Sequence, residues 1–140
     1  MGTAASATAT QARDHQPTES NRAIAIELVE AGAAGRARKV MRRYAAPDFI
    51  HHDPKFASDA ATLAAAMDEN VRSNPYMVLE IQRTIAEGPF VAVHSRVRAK
   101  PGDTPVAVAH IFRIEEGLIQ ELWDIAQDLP ADSPNEAGLF

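Results

Sequence analysis

Residues 81–124 read IQRTIAEGPFVAVHSRVRAKPGDTPVAVAHIFRIEEGLIQELWD, and this stretch decides the fold. Apolar runs with partial alternation are interrupted by Gly88-Pro89, by Pro101-Gly102-Asp103 and by Glu115-Glu116-Gly117. Glycine and proline at such points set tight reversals. Three reversals in succession predict an antiparallel meander, with strands over about 77–87, 90–99, 105–114 and 118–127.

Upstream the period changes from two to that of a helix. Ser20 is a candidate N-cap for a helix in which Ile24, Leu28 and Ala31 recur at helical spacing, with Ala25 and Val29 widening the stripe. Gly32 and Gly35 bracket a break. A second helix, roughly 34–44, puts Ala37, Val40, Met41 and Tyr44 on one face and leaves Arg36, Arg38, Lys39, Arg42 and Arg43 for water. That arrangement is an amphipathic helix with a solvated basic face, not a nucleic-acid patch. Pro47 stops the helix, Phe49-Ile50 suit a short extended segment and Asp53-Pro54 starts a turn. A third helix follows Ser58-Asp59, with Leu63, Met67 and Val71 in one line, and Asn74-Pro75 ends it. Helices first and strands afterwards predict an α+β domain, with the N-terminal helices packed on one face of a curved antiparallel sheet.

The chain has 140 residues, enough for one ordinary domain, which we place at residues 20–140. Residues 1–19, rich in Ala, Thr and Ser, are expected to be a disordered N-terminal tail. At 46% hydrophobic residues a packed core forms without staples, and the absence of cysteine excludes disulfides and thiolate metal sites. Fourteen Lys and Arg against nineteen Asp and Glu give a formal charge of −5, which argues against nucleic acid or an anionic membrane as partner. No apolar run approaches a membrane span and no secretory signal is recognisable, so the expectation is a cytoplasmic protein. The Pro-rich C-terminal segment ends in Leu139-Phe140, a pair expected to pack on the body or on a partner subunit.

Strand parity brings polar residues together. If the turn at Glu115–Gly117 pairs Ile114 with Leu118, then Phe112 meets Gln120, His110 meets Leu122 and Val108 meets Asp124. If the turn at Pro101–Asp103 centres the preceding hairpin, His94 lies opposite His110. His94, His110 and Asp124 would then share a face with Val108, Phe112 and Leu122, an apolar wall holding a few convergent polar groups. A one-residue slip in either hairpin sends one histidine to the other face. A carboxylate so placed takes a proton from carbon next to a carbonyl, and a histidine donates a hydrogen bond to the developing enolate oxygen. The expected catalytic residues are therefore Asp124 as acid/base, with His110 and His94 as polarising donors. Leu122, Phe112 and Val108 are expected to contact substrate. His52 is a contributor at the pocket mouth, because His51 and His52 point to opposite sides of an extended segment and only one faces a pocket. Trp123 has the opposite parity to Asp124 and reads first as packing, with a substrate contact as its second use. His52, Asp53, His94 and His110 could be combined as metal ligands, but no HxxxH or HxH spacing supports that, and no metal or cofactor is expected.

The segments FIHHDP (49–54), IAEGPFVAVHS (85–95), HIFRIEEGLIQELWDIAQDLP (110–130) and NEAGLF (135–140), in this order and spacing, resemble the SnoaL-like polyketide cyclases of the NTF2-like superfamily. The resemblance covers roughly residues 20–140. It implies a cone-shaped α+β barrel around a deep apolar cavity, commonly in a homodimer. It also implies an aspartate on the last strand acting as acid/base in an aldol closure without metal or cofactor, and Asp124 in Leu122-Trp123-Asp124 stands at that position. Where related sequences carry a histidine before the Trp-Asp pair this chain has Leu122. Where they carry an acidic residue it has His110, and where they carry Asn it has Asp53, so the polarity of the pocket is rearranged.

The expected function is cofactor-independent proton transfer on a small or polycyclic, polyketide-like carbonyl compound, of aldol cyclase or isomerase type. The alternatives are a non-catalytic domain that binds an apolar small molecule, and an epoxide or ester hydrolase in which Asp124 activates water.

Overall fold

The computed structural model describes residues 5–140, with side chains described from Thr18 onward. In chain order the elements are α1 (Ala5–Ala33), α2 (Ala37–Tyr44), β1 (Ala45–His51), α3 (Ala60–Ser73), β2 (Val78–Glu87), β3 (Phe90–Arg98), β4 (Val106–Glu115) and β5 (Leu118–Gln127). The sheet order is β1-β5-β4-β3-β2. The four strands of the meander lie where the turn signals put them, and the three helices cover one face of the sheet.

Two expectations about organisation change. Helix α1 starts well before Ser20, so Ser20 lies inside it rather than capping it, and the boundary drawn at residue 19 falls within a helix. Residues 1–4 of the expected tail lie outside the described residues. The sheet is mixed, not wholly antiparallel: β1 joins β5 in parallel, with His51 beside Leu122 and Ile50 beside Glu121. A whole helix and three strands separate β1 from β5, so no tight turn dictates the direction of β1. It is an edge strand, the one place where Pro47 costs no ladder bond, and its pairing is irregular between Ala45 and Ile50.

Hairpin geometry sets the register. Glu116 and Gly117 have φ of 52° and 76°, the left-handed pair of a two-residue turn, so Glu115 pairs with Leu118 and Ile114 with Ile119. Relative to the expected Ile114–Leu118 pair this is a shift of one residue. A bulge between Arg113 and Ile114 then adds a second one-residue shift. The two shifts restore parity, and His110 sits directly opposite Asp124 and Phe112 opposite Leu122. In the β3–β4 hairpin nothing compensates: Val93, not His94, faces His110, and His94 faces Ala109.

The inner face of the sheet therefore carries Val91, Val93, Ser95, Phe112, Ile114, Ile119 and Leu122, all buried against Ile24, Ala25, Leu28 and Val29 of α1. Each large apolar side chain taken out of water in this way contributes about 1.5–3 kcal/mol. Polar ties fix the helices over the sheet. Asn21 donates to the Ile114 carbonyl at 3.2 Å, and Arg22 donates to Thr84 Oγ1 at 2.8 Å. The buried carboxylate of Asp68 on α3 accepts from the Ala37 and Arg38 amides at 2.7 and 3.3 Å, capping α2 from a neighbouring helix. Asp59 caps α3 itself, accepting from the Thr62 amide at 2.8 Å.

Candidate functional site

Between the helices and the inner face lies a pocket of about 210 Å³. Its helix wall comes from Val29, Gly32 and Ala33 at the end of α1 and from Leu63, Met67 and Asn70 on α3. Its sheet wall comes from Leu79, Val97, Val108, His110, Leu122, Asp124 and Ala126, with Met77 just ahead of β2. Apart from Asn70, His110 and Asp124 the lining is aliphatic or thioether, and that composition leaves a ligand few polar groups to meet.

His110 and Asp124 face each other across β4 and β5, with Nε2 3.8 Å from Oδ1. That is longer than a hydrogen bond, so both groups stay available to a third partner. The His110 side chain is 12% exposed and that of Asp124 27%. Burial pushes the His110 pKa below its ordinary 6.5, and the nearby Asp124 charge, which acts in the opposite direction, only partly offsets it. The imidazole is thus neutral near pH 7 and keeps one N–H to donate. The Phe112 ring, fully buried, lies 6.2 Å from the His110 ring between centroids. His110 Nδ1 and Ser95 Oγ are buried without a hydrogen-bond partner among the described residues.

Of the residues expected at the site, Asp124, His110, Leu122 and Val108 line the pocket, and Phe112 shares their face but is packed in the core rather than in the lining. Three others lie elsewhere. His94 is on the outer face of the sheet, where Arg83 Nη1 donates to its Nδ1 at 2.9 Å and its ring stacks on Phe140 at 5.4 Å. The single-residue difference in the β3–β4 register put it there. His52 is also on the outer face, donating from Nε2 to Glu121 Oε1 at 2.7 Å and stacking on Trp123 at 5.1 Å. Trp123 lies between His52 and Phe90 and does not reach the pocket. Of the 51–52 pair it is His51 that points inward, where it is held by loop backbone: its Nε2 donates to the Ala57 carbonyl at 2.6 Å and its Nδ1 accepts from the Asp53 amide at 3.2 Å. The possible metal group of His52, Asp53, His94 and His110 is split between the two faces, and among the described residues no cluster of three or more His, Asp or Glu could hold a metal ion.

The sequence reading missed the helix wall. Leu63 and Met67 were visible as an apolar line on α3, but nothing local says which part of a stripe meets a cavity and which meets a core. Gly32 carries a sharper signal. It lies inside α1, not at a break, and a Cβ there would overlap Met67 Cε, so the glycine makes room for α3 and for the pocket rim. At the C-terminus, Phe140 packs on the body, with the Arg96 guanidinium 4.4 Å from its ring centroid.

The SnoaL-like domain profile matches residues 25–122, more than half of the chain. The chain belongs to the SnoaL-like family. Its fold is shared by solved structures of low sequence identity. A protein from Kribbella flavida, provisionally named a ketosteroid isomerase, superimposes with a TM-score of 0.64 at 21% identity over 84% of this chain and 85% of that one. A protein from Jannaschia, provisionally named a SnoaL-like polyketide cyclase, gives 0.64 at 18% identity over 79% and 87%. An NTF2-like protein of unknown function from Cytophaga hutchinsonii gives 0.60 at 14% over 76% and 89%. No curated protein matches the chain by sequence. Among the described residues no helix is long and apolar enough to cross a membrane.

Proposed function

We propose that this SnoaL-like protein is an enzyme that moves a proton on a carbonyl compound with its own side chains, in the manner of an isomerase or an aldol cyclase. The observation that carries the reading is the His110–Asp124 pair: a carboxylate and a neutral imidazole, unbonded at 3.8 Å, in the lining of an otherwise largely apolar pocket. Asp124 takes the proton from the carbon next to the carbonyl, the C–H electron pair becomes the enolate double bond, and the oxygen gains charge. His110 donates its N–H to that oxygen. The carboxylic acid then returns the proton, either to a carbon further along the conjugated system or to the alkoxide formed when the enolate carbon adds to a second carbonyl. A neutral donor suits this step, because it stabilises the enolate without competing with Asp124 for the proton.

The test is exchange of solvent deuterium into a ketone bound by the full chain, with Asp124→Asn as the control. The expected result is exchange that falls by roughly 10²–10⁴-fold in the variant while the fold persists. Tight binding with no exchange in the native chain would sink the enzymatic reading and leave a binding domain, and incorporation of labelled oxygen from water would point instead to hydrolysis.

The same reading includes a homodimer and a reducing compartment such as the cytoplasm, the latter supported by the absence of cysteine. Support for the dimer comes from Ile85, Phe90 and Ile125, which are 66%, 45% and 55% exposed on the outer face of the sheet. Ile125→Asp is expected to lower the sedimenting mass from two chains to one, and a native chain that sediments as a monomer would overturn the dimer.

A further inference from the structure

The pocket's dimensions narrow the substrate class, an inference that rests on the proton-transfer reading for the word carbonyl but not for size. A cavity of about 150 Å³ lined by aliphatic side chains holds one benzene ring. At the same packing, the roughly 210 Å³ available here takes about eight to twelve non-hydrogen atoms once the open rim is counted. A tetracyclic skeleton has about twice that number.

The side walls are largely fixed by the fold, and the pocket is open at its rim. Phe112 and Val93, both fully buried beside His110, are packed into the core and leave no space on that side of its ring. The side walls, Leu63 on α3 and Val108 and Leu122 on paired strands, are set by backbone that cannot move without breaking the sheet or the helix contact. Only Met67 and Met77 are adaptable, and two thioether chains can absorb differences of shape but not two further rings.

We infer that the SnoaL-like pocket takes a one- or two-ring carbonyl compound, its oxygen toward His110 and Asp124 and its apolar rings between α1, α3 and the sheet, in preference to three- and four-ring substrates. Gly32 and Met67 both line the pocket, and a side chain at Gly32 would overlap Met67 Cε and force that thioether chain to shift.

Calorimetric titration of the full native chain with cyclohexanone, 1-tetralone and testosterone tests this with one, two and four rings. Tetralone is expected to bind tighter than cyclohexanone by roughly 10-fold or more, since each added methylene that fits is worth about that factor, and testosterone weaker than tetralone by at least as much. In Gly32→Ala, a change that favours the helix, the tetralone affinity is expected to fall roughly 10-fold with less than about a 3-fold change for cyclohexanone. Testosterone binding as tightly as tetralone, or no binding of any of the three, overturns the inference. Titration requires no turnover, so a ligand that binds in this order yet shows no deuterium exchange defeats the proposed chemistry while leaving the size class standing.

Discussion

The two faces of one sheet treat the same residue types in opposite ways. On the inner face His110 and Asp124 stand 3.8 Å apart without a hydrogen bond, and His110 Nδ1 and Ser95 Oγ have no partner among the described residues. On the outer face most polar groups pair with one another, although Arg96 Nε is buried there without a hydrogen-bond partner among the described residues. His52 bonds Glu121, Arg113 Nε donates to the same carboxylate at 3.2 Å, and Arg83 bonds His94. The strands are shared, and the parity of the residue number decides the face. The helices exclude water from one side, so polar groups there are few, costly and free to meet a ligand. On the other side water and long flexible partners satisfy each group, and His52 with Glu121 holds the Glu121 carboxyl below its ordinary range through their hydrogen bond.

Large-to-small substitutions should separate the faces most widely. Phe112→Ala, at a fully buried inner position, is expected to cost about 3–5 kcal/mol in urea unfolding. Phe90→Ala, 45% exposed on the outer face, should cost less than about 1 kcal/mol in the single chain. Equal losses would mean that the outer face is as enclosed as the inner one.

A smaller and pH-dependent difference is expected from His110. Because burial lowers its folded pKa, the unfolded chain binds the proton first: stability is unaffected above 6.5 and falls as pH drops below it, by at most about 1.4 kcal/mol per pH unit, until the folded imidazole also protonates. Subtracting the stability curve of His110→Gln from that of the native chain should isolate this slope. A difference that stays flat between neutral and acidic pH would show that the imidazole is not desolvated.

The smallest effect carries the opposite sign. Ser95→Ala removes a buried hydroxyl with no partner among the described residues, and should raise stability by up to about 1 kcal/mol in the same unfolding assay. Destabilisation would mean that the hydroxyl is satisfied.

Much of this arrangement was legible in the residues. The reversals at Gly88-Pro89 and Glu116-Gly117, the strand lengths and the apolar lines of α2 and α3 follow from local chemistry, which depends on neighbours a few positions away. Asp124 and His110 were likewise read as sharing one face, although the expected register differed from the observed one by two one-residue shifts that add up and so restore parity. His94 shows the limit. Residues 99–105 join β3 and β4 through a long connection, and nothing in its sequence distinguishes a pairing centred between 110 and 93 from one centred between 110 and 94.

The sequence by itself determined the list of elements and the α+β class, because turn chemistry and side-chain periodicity are local, whereas the pairing of His110 with Asp124 also needed a bulge that only the structure shows. The tertiary structure alone decided the face of His94, the parallel docking of β1, the helix side of the pocket and its volume. These depend on register and on which side chains meet across the fold, where a one-residue displacement reverses every side chain and contacts between distant segments leave no periodic trace.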